Sequence, residues 1–411
     1  MFAKLKKYNF SFVNNQKIKF MKKIIATFLS LALLTMIAGP SLTVAVSPNV
    51  NTGLTRGSGG GDIPVIKAKW EMKGPCLNGA DYIACPSVGE GNDDEVSAGA
   101  QFDAPGVWGA NMNYTVCAIA TDPDGVADLA GVYADIYYPE GKAIHDRTPS
   151  TDVHRDTARG TQDIGVEGCG EFIEENTLHQ LTKAEGYHLF CEEIRDNNYN
   201  LPVFSEYYDY DEICAPDGEL MKEEAYVYCS DKDLIWEDPA GDYKVNVFAQ
   251  DNASNNSVTL TNYFEYMPFT GFEKDFSSVS YGQVMLNTHK KISGDLTFGN
   301  GIPSIRNVGN TRLWMKVAQD DMGLGQSSGI WNVQYDGRVG NNESDWTNYD
   351  PFGYKGTTPG SYTQLEDIVD LSELEEMDFS ILVKKWPDVN TSYIGTMWLS
   401  ATSAPFRNCV D

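Results

Sequence analysis

Cations are scarce in this chain: 31 lysines and arginines stand against 58 aspartates and glutamates, a formal charge of −27. A nucleic-acid groove needs clustered Lys or Arg to displace phosphate counterions, and no such cluster occurs beyond residue 45, so polyanions are poor partners. Cys-x-x-Cys is missing, which removes the signature of thioredoxin chemistry and of a zinc ribbon. His-Glu-x-x-His, Gly-x-x-x-x-Gly-Lys-Ser/Thr and Gly-x-Gly-x-x-Gly are absent too, and with them the metalloprotease and nucleotide-binding signatures. The five histidines, His145, His154, His179, His188 and His289, are too scattered for a ligand array. His188 and Glu192, four apart on an expected helix, read as a surface pair. Carboxylates such as Glu174, Glu175, Glu192 and Glu193 are so abundant that spacing singles out no glycosidase pair. The expectation is no catalytic residue, no nucleophilic hydrolase and no enzyme.

What the chain does contain points to export. Lys22 and Lys23 follow Met21 and precede the apolar run Ile24 to Ala38, with a small-residue exit at Thr43-Val44-Ala45. That is the form of a secretory leader over residues 1–45, starting at Met21 and cleaved after Ala45. An uncleaved leader, long enough to span ~30 Å of hydrocarbon, is the alternative and the one expected route to a membrane. Its removal takes seven lysines and no acid, so the mature chain is more acidic still. Such a surface reads first as one that resists aggregation by mutual repulsion; the competing reading is a surface that collects divalent cations. Cys76, Cys85, Cys117, Cys169, Cys191, Cys214, Cys229 and Cys409 are an even set in an exported chain, expected as four disulfides. Connectivity stays open; Cys76 with Cys85 and Cys214 with Cys229 are the least demanding pairs, each closing a short loop.

Residues 46–63, rich in Gly, Ser, Thr and Asn, read as a flexible linker. Beyond them, apolar and polar residues alternate at Val65 to Trp70 and Met112 to Ala120. Val132, Ala134, Ile136 and Tyr138 share one face, as do Tyr243, Val245, Val247 and Ala249: the period of half-buried strands. A capping-box pattern at Thr182 and Glu185, with Ala184, Tyr187, Cys191 and Ile194 at helical spacing, marks a helix inside an insertion at about 139–239. The tyrosine-rich stretch Tyr199 to Tyr228 in that insertion is a candidate contact surface. Further strands punctuated by turns are expected from Ser277 to Ser400. The fold class is therefore mainly β, as two sandwiches over 64–267 and 268–411, the first with a disulfide-rich helical insertion.

Two stretches carry a resemblance. Gly241-Asp242-Tyr243-Lys244-Val245-Asn246-Val247-Phe248-Ala249-Gln250-Asp251-Asn252-Ala253-Ser254-Asn255 is similar to the closing strand of bacterial and archaeal immunoglobulin-like repeats, with Ser254 where those repeats place glycine. Thr115 to Gly125 is similar to an opening strand and turn of the same repeats. Ile305 to Val317, with Asn307-Val308-Gly309-Asn310, and Met377 to Ala401 resemble strands of immunoglobulin-like domains in prokaryotic envelope proteins. The resemblance implies sandwiches used as spacer or adhesive modules and brings no catalytic residue.

Asp122, Asp124 and Asp128, with Gly125 allowing a bend, offer carboxylates that a calcium ion could gather, with Asp251 as an extra ligand from across the sandwich. Position 133 is Tyr133, so no complete EF-hand is present; a plain Pro-Asp-Gly turn is the competing reading. Asn113, Asn252, Asn255, Asn342 and Asn390 fit the glycosylation sequon. Three functions are consistent with all this. A secreted or cell-surface structural or adhesive protein, contacting an extracellular protein or envelope component, comes first. An extracellular carbohydrate-binding or carbohydrate-active protein, presenting Trp314, Trp331, Trp346 or Trp398 to a glycan, comes second. A calcium-dependent binding module comes third, with calcium as the one cofactor expected.

Overall fold

The computed structural model describes residues 61–85, 100–141, 169–170, 172–340, 349–354, 362–387 and 392–406. The expected leader, almost all of the linker, His145, His154, Trp346, Cys409 and the sequons Asn342 and Asn390 lie outside these residues. The described residues belong to one compact unit and are mainly β.

The first region contains β1 (Val65–Lys73), β2 (Leu77–Asn78), β3 (Asp81–Tyr82), β4 (Gln101–Asp103), β5 (Met112–Thr121) and β6 (Leu129–Tyr137). It continues with β7 (Phe172–Gln180), β8 (Val203–Phe204), β9 (Tyr226–Leu234), β10 (Gly241–Asp251) and β11 (Leu260–Met267). Nine of these form one hydrogen-bonded sheet in the order β4-β11-β10-β6-β7-β9-β5-β1-β8. The sheet doubles back at β7, which pairs with β6 through Phe172–Leu178 and with β9 through His179 and Gln180. β1 thereby packs face to face on β10 and β11. Alternation sets the inner faces: Tyr243, Val245, Val247 and Ala249 of β10 are buried, as are Val132, Ala134 and Ile136 of β6. Tyr243 and Phe264 stack with ring centroids 5.0 Å apart, an arrangement worth about 1 kcal/mol beyond the area it hides.

The span expected as a helical insertion, 139–239, instead supplies three strands of this sheet, the long β7 and β9 and the two-residue edge strand β8. The two long strands alternate weakly and are rich in polar residues, which masks their period. The helical part is confined to the stretch between them: α1 (Lys183–Tyr187), a π-helical turn (His188–Arg195), α2 (Tyr210–Cys214) and α3 (Glu219–Lys222). The Thr182–Glu185 capping box forms as its sequence requires. Gly186 is there for contact, since a Cβ on it would lie 3.0 Å from Val227 of β9.

Cysteine pairing follows this arrangement. Cys76 bonds Cys85, the short loop expected. Cys214 bonds Cys191 of the π-helical turn, and Cys229 bonds Cys117; the short Cys214–Cys229 loop does not form. Cys117 and Cys229 face each other across β5 and β9, with Cα atoms 4.2 Å apart, so the ladder itself selects the pair. Cys169 is also disulfide-bonded.

The second region contains β12 (Phe272–Lys274), β13 (His289–Ile292), β14 (Ser304–Asn307), β15 (Arg312–Gln319), β16 (Gln326–Ser327) and β17 (Ile330–Trp331). β18 (Val333–Val339), β19 (Asp350–Phe352), β20 (Thr363–Val369), β21 (Leu374–Val383) and β22 (Met397–Ala404) complete it. β12-β14-β21-β18-β19, with β13 also on β21, form one sheet, and β20-β15-β22 form another. Leu313, Met315 and Val317 of β15 share an apolar core with Phe379 and Ile381 of β21. The Asn-x-Gly-Asn stretch acts as a clasp. Asn310 Nδ2 donates to Met267 O (2.8 Å) and its Oδ1 accepts from Phe269 N (2.7 Å). A Cβ on Gly309 would lie 2.2 Å from Phe269 O, so only glycine allows that approach.

Candidate cation site

Two loops of the first region meet at the ends of β5 and β10. Past β5, Asp122 opens a turn in which its Oδ1 accepts from Asp124 N (2.8 Å) and its carbonyl accepts from Gly125 N (2.9 Å). Gly125 takes φ 108°, and a 3-10 turn over Val126–Asp128 brings Asp128 round. β10 ends on a register shift at Asp251. The loop after it curls back so that Asn255 donates twice to the Asp251 carboxylate, from N and Nδ2, at 2.7 Å each. Ser254, standing where the resembling repeats have glycine, sits at φ 67°, the conformation that makes glycine the usual choice. Asn252 N bonds Asp128 O (2.8 Å) and ties the two loops together.

The result gathers one carboxylate oxygen from each of Asp122, Asp128 and Asp251 within 4.8 Å of one another. Oxygens on a single calcium lie at most about 5 Å apart, twice a bond of ~2.4 Å, so the spacing fits. Asp122 is 4% exposed and its Oδ2 has no hydrogen-bond donor. An orphaned buried carboxylate oxygen costs on the order of 1–3 kcal/mol, which a cation would offset. Burial raises the Asp122 carboxyl above its ordinary range. The Asp124 N–H opposes this, and the charges of Asp128, Asp124 and Asp251 add to the rise. Burial works the same way on Asp251, but the Asn255 donors and the Ala253 N–H outweigh it and hold that carboxyl low. An all-oxygen, carboxylate-rich set suits a hard divalent cation and not zinc.

Of the three aspartates expected as ligands, Asp122 and Asp128 converge, joined by Asp251 from the other loop. Asp124 falls outside the trio: its Oδ2 accepts from Asp62 N (2.8 Å), and Gly61 lies over the carboxylates of Asp124, Asp251 and Asp128. The side-chain amides of Asn252 and Asn255, two of the sequons, are engaged here with Asp128 and Asp251. Asn113 lies half-buried on β5.

Other expected positions are dispersed. His188 Nδ1 lies 2.7 Å from Glu192 on an exposed face, as a surface pair. Gly325-Gln326-Ser327-Ser328-Gly329 does have the Gly-x-Ser-x-Gly form, contrary to the expectation of no nucleophile motif. Its Ser327 belongs to the two-residue hairpin strand β16, with no strand-to-helix elbow to activate it. Trp331 packs against Tyr354 with the rings tilted and 4.4 Å apart, whereas Trp398 lines an open groove of about 1230 Å³ with Phe272, Phe276, Tyr281, Trp386 and Tyr393.

A buried polar trio in the first region is the feature the sequence hid. β1 reads as a half-exposed strand, Val-Ile-Lys-Ala-Lys-Trp-Glu-Met-Lys. The helical stretch covers its Trp70 side, where Trp70 meets Phe190 at 5.1 Å, so Lys69 and Glu71 face inward. Lys69 Nζ donates to Val245 O (2.9 Å) and to Asn262 Oδ1, and sits 2.8 Å from Glu71 Oε1. Asn262 Nδ2 donates to Glu71 Oε2 (2.7 Å). Lys69 and Glu71 are fully buried.

No helix among the described residues is long and apolar enough to cross a membrane. No family model and no curated protein matches the chain. Solved structures align over much of it. A chaperone–tip adhesin complex of CFA/I fimbriae biogenesis is 9% identical over 84% of this chain and 92% of that one, with a TM-score of 0.22. The C-terminal domain of the Streptococcus pyogenes antigen I/II-family protein AspA is 12% identical over 83% and 97%, with a TM-score of 0.17. The C-terminal domain of the Streptococcus agalactiae AgI/II polypeptide BspA is 11% identical over 83% and 96%, with a TM-score of 0.18. At such identities and TM-scores, these likenesses carry no argument about what the chain does.

Proposed function

We propose that the chain is an exported, surface-displayed protein built of immunoglobulin-like sandwiches, serving in structural or adhesive contact and not in catalysis. Its first sandwich is clamped by a calcium ion on Asp122, Asp128 and Asp251. The leader-like start, the disulfides and the resemblance of β10 to immunoglobulin-like repeats support export and module type. The carrying observation is the orphaned, buried Oδ2 of Asp122 among three converging carboxylates. Calcium there would cancel their mutual repulsion and fasten Gly61 and Asp62, which lead into β1, to the loops. The partner is an extracellular protein or an envelope component.

The test is thermal melting of the full chain in calcium, in magnesium and in chelator. The expected result is a calcium-specific rise in Tm that Asp251→Asn abolishes; an unchanged Tm across all three conditions would rule the clamp out. A second reading, glycan binding, is favoured by the groove: its walls hold six aromatic rings and no Asp or Glu, in a chain with 58 of them. Titration with neutral oligosaccharides, compared with Trp386→Ala, tests it.

A further inference from the structure

We propose that Lys69 and Asn262 become joined by an isopeptide bond that forms without an enzyme and links β1 to β11. The bland alternative is a buried ion pair with an amide beside it. Desolvating two charges in the sandwich core is costly even when they are paired, and an amide in their place would relieve that cost. The arrangement instead has the parts of an acyl transfer. Lys69 Nζ, the nucleophile, rests against the carboxamide of Asn262. Glu71 reaches both ends of the reaction: Oε1 is 2.8 Å from the amine, and Oε2 accepts from the Asn262 Nδ2 that must leave. Burial lowers the Lys69 pKa, with the Glu71 charge acting against it, so the free amine is more accessible than on a surface lysine. Rigid strands hold all three groups in place, which replaces a bimolecular encounter by a fixed near-attack geometry.

The step balances without a co-reactant. Starting from the neutral amine and the protonated carboxyl, Lys69 Nζ attacks Cγ of Asn262 while Glu71 passes its proton to the amide. The surplus proton on Nζ returns to Glu71 and then to the departing nitrogen. The Cγ–Nδ2 bond breaks, the Cγ–Nζ bond stays, one ammonia leaves, and Glu71 ends as it began. Low polarity around the trio favours this neutral route and excludes the water that would otherwise hydrolyse the amide. The product replaces a buried charge pair by one amide and closes a loop around all three described disulfides.

Tryptic mapping of the reduced, alkylated full chain by tandem mass spectrometry tests the bond. The expected result is a branched species in which Ala68–Lys73 is joined to Val245–Lys274. It is uncut after Lys69 and lighter than the two linear peptides together by one ammonia. Recovery of linear Ala68–Lys69, Trp70–Lys73 and Val245–Lys274, with Lys69 and Asn262 unmodified, would overturn the proposal. Glu71→Gln, nearly the same size, is expected to fold with an unchanged circular dichroism spectrum and to lose the branch; a folded Glu71→Gln protein that still carries it would remove Glu71 from the chemistry. Lys69→Met removes the nucleophile and must abolish the branch. Its persistence there would assign the link to another lysine.

Discussion

The two regions hold their polar interiors differently. In the first, the Cys117–Cys229 disulfide, the aspartate trio and the Lys69 cluster join strands or loops distant in sequence, and two shorter disulfides close local loops. In the second, buried arginines neutralise buried acids: Arg338 bonds Asp378 at 2.5 Å, with Glu376 at 3.8 Å, and Arg312 pairs with Asp370. One region restrains its unfolded chain, while the other relies on pairings that exist only when folded. The first is therefore expected to respond to reductant and, on the proposed clamp, to chelator, and the second to single side-chain deletions and pH.

The largest effect expected is on the first region. Replacing Cys117 and Cys229 by alanine opens a loop with a sequence separation of 112. Chain entropy alone values that closure at about 4–5 kcal/mol. Hydrogen exchange on the variant should show protection lost on β5 and β9 and kept on β18 and β21; equal loss in both regions would erase the distinction. Next comes Arg338→Ala. It strands Asp378, which is wholly buried, and the cost of breaking such a pair is about 3–5 kcal/mol. Chemical denaturation should show the second region unfolding first, with calcium and reductant making no difference to it.

Calcium follows. At a concentration of about a hundred times Kd it should stabilise the first region by about 2.7 kcal/mol, measured as a chelator-sensitive shift in denaturation midpoint. A shift seen instead in the second region would place the ion elsewhere. The smallest effect concerns Glu373. Burial, then the neighbouring Glu375 charge, raises its pKa from 4.5 to about 9. The folded state thus holds this proton longer than the unfolded state does. Its stabilising contribution is complete below pH 4.5 and is lost as pH climbs towards about 9. Because Glu373 is partly exposed, the slope should be shallow. Glu373→Gln should flatten it in a pH series of melts, and an unchanged slope would assign it to another group.

Local signals were legible where chain-local physics decides. The alternation of β6 and β10, the Thr182–Glu185 cap, the Asp122–Gly125 turn and even the approach of Asp251 follow from neighbouring residues and strand period. What stayed hidden depends on contacts across long separations. β7 and β9 carry too many polar residues to read as strands, because their burial comes from partners that the local pattern does not name. The Cys117–Cys229 pair follows from the β5–β9 register and not from loop length. Lys69 and Glu71 look solvent-facing because alternation says which residues share a face, but not which of two faces points inward once a helical stretch covers the apolar one.

The Cys117–Cys229 bridge also decides how this protein would respond to a protease. A single cut anywhere between those cysteines, the helical stretch included, leaves two fragments that the bridge still holds as one molecule. Reductant opens that bridge, so whether the two pieces then part on a reducing gel reports on the Lys69–Asn262 link.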